Sequence, residues 1–121
     1  MNIQEIAKKN QTLAEIMVDR EKGSTEELID TGVITINNCE NFDMTNEEGQ
    51  SENLWAFTCK EHKGKFFFAG TVMKNIFVGL LKAFDGDYIE LYNAIEEQGL
   101  KVKFENGRTK KGRPITKVTV I

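Results

Sequence analysis

The sequence is poor in the residues that build disulfide frameworks, metal centres and long linkers. It holds two cysteines, Cys39 and Cys59, one histidine, His62, and one proline, Pro114, in 121 residues. Two cysteines do not make a secreted disulfide scaffold, and both are expected reduced in or near strands. One proline and ten glycines leave little room for a long linker. No apolar run approaches the roughly 20 residues that cross a bilayer. The start, MNIQEIAKKNQTLAEIM, lacks the charged lead and unbroken apolar stretch of a signal peptide. The expectation is a cytoplasmic protein with no membrane contact. Apolar residues make up 40%, with eight phenylalanines, which argues against disorder. The length fits a single domain, 1–121, with a real core.

Hydrophobic periodicity then divides the chain. Ile3, Ile6, Leu13, Ile16 and Met17 fall at roughly helical spacing, so one irregular helix is expected from Asn2 to about Val18, capped by Asn2 with Glu5. The polar run 19–23 breaks that pattern. Ser24 and Glu27 form a capping box for a short helical turn closed by Gly32, which completes a helical N-terminal extension over 1–31. Strands are expected over 33–42, 54–62 and 66–70, with 43–53 an exposed polar loop. Val72, Met73, Ile76, Phe77, Leu80, Leu81 and Phe84 make a wide helical stripe, and Asp87 with Glu90 caps a second helix ended by Gly99, placing helices at 71–98. Two alternating strands close the chain. Helix, three strands, helices, two strands is an α+β order, mainly β. It fits an OB-fold-like five-stranded barrel over 33–121, with a helical connection between strands 3 and 4.

Constellations that carry catalysis are nearly absent. No glycine-rich loop opens a helix to cradle phosphate. Cys59 and His62 have a spacing that can bind zinc, but a structural site wants four ligands and only Cys39 offers a third. As nucleophile and base, the same pair lacks an orienting third group. The sequence points to no enzyme, no metal and no cofactor.

Charge is unevenly placed. The chain is acidic, at −3. Residues 101–121 nevertheless hold seven Lys/Arg (Lys101, Lys103, Arg108, Lys110, Lys111, Arg113, Lys117) against Glu105 alone, while the first hundred hold nine against eighteen acids. Strand alternation puts Lys101 and Lys103 opposite Val102 and Phe104, and Lys117 opposite Val118 and Val120. One cationic sheet face results, with Arg108, Lys110, Lys111 and Arg113 at the tip. Such a row suits a phosphate backbone, or else it solubilises an edge strand. Lys60, Lys63 and Lys65 cluster at a second turn, near Trp55, Phe57 and the triplet Phe66–Phe67–Phe68. With Phe66 and Phe68 inward, Phe67 turns outward beside Lys65 as a stacking platform for single-strand bases. Alternatively, Phe67 packs beneath the N-terminal helix. Trp55 and Phe57 share a face, so at least one of them belongs to the core.

Several stretches resemble small phage and prophage single-stranded DNA-binding proteins of Gram-positive hosts that consist of a lone OB-fold. They are REKGSTEELIDTGVITI, FFFAGTVMKNI, the FDGD turn and the ending LKVKFENGRTKKGRPITKVTVI. The resemblance implies binding of single-stranded DNA without strong sequence preference, in phage DNA replication or recombination within the host cytoplasm. It carries the nucleic-acid role onto the basic residues of the last two strands and the aromatics of the second and third. It also implies contact with replication or recombination proteins and leaves a homo-oligomer open. The bacterial relatives recruit partners through an acidic tail, whereas this sequence stops on its last strand. The acidic 43–53 loop or the N-terminal helix is then the candidate substitute. The alternative reading is a phage-encoded protein-interaction module, or host-factor inhibitor, with no nucleic-acid binding, acting through that helix or an open sheet edge. Charge reversal of Lys101, Lys103 and Lys117 separates the two.

Overall fold

A computed structural model describes residues 2–4 and 14–121. Its elements are a single 3₁₀ turn at Glu15–Met17, then β1 (Glu21–Lys22), α1 (Thr25–Thr31), β2 (Val33–Thr45), β3 (Ser51–Cys59) and β4 (Lys65–Phe68). They continue with α2 (Thr71–Ala83), α3 (Tyr88–Gln98), β5 (Leu100–Arg108) and β6 (Pro114–Val120). The fold is α+β and mainly strands. The strands form one curled six-stranded sheet in the order β1-β4-β3-β2-β5-β6. All neighbours are antiparallel except β1 and β4.

Local chemistry sets the helix limits where the sequence placed them. The Ser24 hydroxyl accepts from the Glu27 N–H at 3.3 Å, and an Asp87 carboxylate oxygen accepts from the Glu90 N–H at 3.0 Å. Each cap satisfies one N–H that the first helical turn leaves orphaned. Gly32 and Gly99 end α1 and α3 at positive φ, 82° and 71°, where a side chain would be strained.

The inner face of the sheet carries the main core. Ile34, Ile36, Cys39, Phe57, Phe67, Val102 and Phe104 meet Leu28 of α1, Met73 and Phe77 of α2, and Leu91 and Ile95 of α3. Trp55 stacks on Phe77 with ring centroids 5.2 Å apart. The outer face is covered at one end only. There Ile16 packs on Ala56 and Phe66, with Ala14, Met17, Phe42 and Phe68 around them.

Four expectations are corrected. The sheet has six strands rather than five, because Glu21–Lys22, in the polar run between the two expected N-terminal helices, pairs parallel with Lys65–Phe66. The helix expected over Asn2–Val18 lies in large part outside the described residues, and at Ala14–Val18 the chain forms a 3₁₀ turn between two extended residues instead. The loop expected over 43–53 is mostly strand: pairing runs to Thr45↔Ser51, and only residues 46–50 turn. A polar ladder holds that hairpin, Asn41 to Asn53 at 2.8 Å and Asn53 to Asp43 at 2.9 Å. Finally, Phe67 points inward and Phe66 outward, the reverse of the expected parity. The cross-strand register Phe57↔Phe67 fixes this, and Phe66 is still buried because the chain at Ala14–Met17 covers that end of the outer face.

Candidate nucleic-acid interface

β5 and β6 make the most distinctive feature of the surface. β2 pairs with β5 only from Leu100 to Lys103. Beyond it, Glu105–Arg108 pair with Pro114–Lys117 and with no other strand. Four residue pairs at about 3.4 Å each give a two-stranded ribbon that runs on for roughly 14 Å before its turn. Just before this ribbon, burial alternates residue by residue along β5. Val102 and Phe104 are buried, whereas Lys101 and Lys103 are exposed. Facing them are Val118 opposite Phe104, Thr119 opposite Lys103 and Lys117 opposite Glu105.

The turn is shaped by Thr109. Its backbone N–H donates to Arg113 O at 2.9 Å, and its hydroxyl accepts from the Arg113 N–H at 3.2 Å. Gly112 supplies the positive φ of 79°. Arg108 Nη1 donates to Gly112 O at 3.1 Å, which stiffens the tip from inside. Arg108, Lys110, Lys111 and Arg113 are all exposed here, and no acid lies between Asn106 and Ile121. The tip is the densest positive charge in the sequence.

The face lysines are less free than the tip. Glu105 lies between two of them, 3.9 Å from Lys103 Nζ and 3.7 Å from Lys117 Nζ. Exposed pairs of this length contribute at most about 1 kcal/mol, so a phosphate can displace the carboxylate at little cost. Lys101 takes part in no ion pair among the described residues.

Of the second cluster, Lys60 joins this surface. It follows buried Cys59, is exposed, and its N–H donates to Thr35 O at 3.0 Å, while Thr35 stands opposite Lys101. Lys60, Thr35 and Lys101 therefore form one row across three strand positions. The Glu61 carboxylate, 2.7 Å from the Thr35 N–H, adds a negative charge beside it. Lys63 is exposed on the β3–β4 turn. Lys65 is half-buried and bonded to Glu27 at 2.8 Å. That hydrogen bond is the main reason the Glu27 carboxyl is held below its ordinary range. β4 lies three strand spacings from β5, roughly 14 Å.

The aromatic part of the expected site is corrected. Trp55 is 2% exposed and Phe67 is 1% exposed. Trp55 lies between Phe77 and Tyr88, and Phe67 lies against Phe57 at 5.7 Å with the His62 edge at 5.6 Å. Neither ring is available to a base. The Cys59–His62 pair is also occupied structurally: Cys59 is buried, with its thiol pushed up by that burial, and His62 Nε2 lies 2.7 Å from the Thr31 hydroxyl.

The sequence reading missed a cleft on the inner side of the ribbon. It opens between β6, the end of β4 and the first turns of α1 and α2, and measures about 380 Å³. Buried Leu28, Phe57, Met73 and Phe104 line it, and partly exposed Phe68 borders it. The ribbon residues Thr116 and Asn106 share the parity of Phe104 and Val118, so alternation alone would have set them on this side. Comparisons with protein-family models, with curated proteins and with solved structures gave no match.

Proposed function

We propose that this protein binds single-stranded DNA without strong sequence preference through the β5–β6 ribbon, in the phage replication or recombination setting that the sequence resemblance implies. The observation that carries the reading is the ribbon itself: four exposed cations at a tip without acids, continued by Lys101, Lys103 and Lys117 on one exposed face. Phosphate backbones are held by such rows because each neutralised phosphate releases counterions. The strand order adds support. β2, β3 and β4 meander, and β5 returns by a long helical connection to pair with β2, which is a Greek-key arrangement. An OB-fold is a partly open Greek-key barrel of five strands. We read β2–β6 as those five strands and β1 as an added edge.

Binding of a labelled oligo(dT) at low salt tests the proposal. The wild-type protein binds and is released as salt rises, while the triple variant Lys101→Glu, Lys103→Glu, Lys117→Glu binds far more weakly. No binding by micromolar wild-type protein at low salt refutes it.

One observation favours the second reading, a protein-interaction module. β6 is a seven-residue edge strand with Val120 and Ile121 exposed at its end, a form that accepts an added strand from a partner. Capture of a protein partner that survives the triple charge reversal, together with no oligonucleotide binding, would select it.

A further inference from the structure

Burial of Trp55 and Phe67 removes the stacking platform that a single-strand binder needs, so the base contact has to lie elsewhere. The cleft beside the ribbon supplies it. Its size, about 380 Å³, lies in the range of small-ligand sites, roughly 300–1,000 Å³. Its floor is apolar, and Phe68 and Phe104 border it. Three hydroxyls, Thr25, Thr71 and Thr116, stand among its lining residues. A hydroxyl both donates and accepts, so these groups can meet the edge of any base, as sequence-tolerant binding requires.

Positive charge borders the hollow next to the cleft and gathers at the ribbon tip beyond it. Along β5 the parity of Phe104 continues through Asn106 to Arg108, which leads from the apolar floor to the cationic tip. On the opposite bank a second hollow shares Thr25 and Phe68 with the first and is bordered by Lys22, whose Nζ lies 5.3 Å from the centroid of the Phe68 ring. A strand laid across this end of the curled sheet would thus meet a cation and then an apolar seat, with the cationic tip further along β5.

Resting on the single-strand reading above, we infer that this cleft is a nucleobase pocket: it takes one unstacked base against the partly exposed Phe68, over the apolar floor to which Phe104 contributes, with an adjoining phosphate held by Lys22. The pocket selects single strands over duplex, because a base seated there has left its stack and its partner.

The test uses an oligo(dT) carrying one 2-aminopurine, whose emission reports stacking. Binding of wild-type protein changes that emission. A double variant, Thr116→Leu with Thr71→Leu, narrows the cleft from facing banks without adding charge or an aromatic ring. It lowers oligonucleotide affinity about tenfold, the scale of one lost stack, and removes the emission change. Its salt dependence stays that of the wild type, since the phosphate contacts remain. Each single variant repeats the measurement should the double variant fold poorly. Two failures are distinguishable. If wild-type protein does not bind oligonucleotide at low salt, the single-strand reading falls and the pocket with it. If wild-type protein binds, but the emission is unchanged and the leucine variants bind equally well, only the pocket assignment falls. The cleft then belongs to another occupant, such as a peptide strand added to the β6 edge.

Discussion

Replacing Gly23 by alanine isolates the packing that takes Phe67 away from the surface. Gly23 is buried next to β1, and its N–H donates to Phe66 O at 2.8 Å. A Cβ built there would lie 2.6 Å from Phe67 Cζ, closer than real contacts allow. The backbone cannot easily retreat, because Glu21 N–H also donates to Gly64 O at 2.9 Å and pins the same segment. The ring cannot retreat either, since Phe57 and His62 pack against it. Gly→Ala at a relaxed site stabilises by about 0.4–1 kcal/mol through the unfolded chain. Overpacking costs about 1–3 kcal/mol, so the clash wins and a net loss of roughly 1–2 kcal/mol is expected. Urea unfolding followed by the emission of Trp55, the one tryptophan, would show the midpoint falling by about 1 M, given a slope near 1–3 kcal/mol/M. Shortening the ring should relieve the clash, so Gly23→Ala with Phe67→Leu is less destabilised than the two single changes summed. A neutral Gly23→Ala variant, or strict additivity, would refute this account of Phe67.

Other consequences can be checked together. Exchanging Arg108, Lys110, Lys111 and Arg113 for glutamine leaves thermal stability nearly unchanged, because the side chains are exposed. It lowers the steepness of the salt dependence of oligo(dT) binding by up to about 3 in log–log slope. The Glu27 carboxyl is held low chiefly by its hydrogen bond from Lys65. Its contribution to stability is therefore present at neutral pH and lost as pH falls through and below the ordinary carboxylate range. NMR titration of the Lys65→Gln variant should return Glu27 toward its ordinary value. Burial pushes the Cys39 thiol up to about 12 and raises that of Cys59. Both should resist thiol reagents at pH 8 in the native protein and react once urea unfolds it. Rapid native labelling would place them nearer the surface.

The features legible in the sequence are those encoded by neighbours a few residues apart. The capping boxes at Ser24 and Asp87 depend on a side chain and an N–H three positions away. The α2 stripe and the alternation of Lys101, Val102, Lys103 and Phe104 depend on period alone. What escaped the sequence depends on partners distant in the chain. β1 is two residues long, too short to show alternation, and exists because β4 offers an edge. Phe66–Phe67–Phe68 could not be assigned a parity locally, since both faces of β4 are covered and only the register with Phe57 decides. Asp43–Thr45 reads as loop by polarity, yet asparagine side chains bridge the strands and hold it extended. The cationic half of the site was therefore visible, while the aromatic half was misplaced and the cleft hidden.

The central claim is that the ribbon holds a nucleic-acid backbone, and the salt dependence of oligo(dT) binding measures that most directly. Four tip cations act fully, and three face lysines act in part because Glu105 competes for two of them. Roughly four to seven phosphates neutralised correspond to a log–log slope of about −3 to −5 for a single strand. A slope in that range supports the account. No binding at low salt, or binding indifferent to salt, contradicts it.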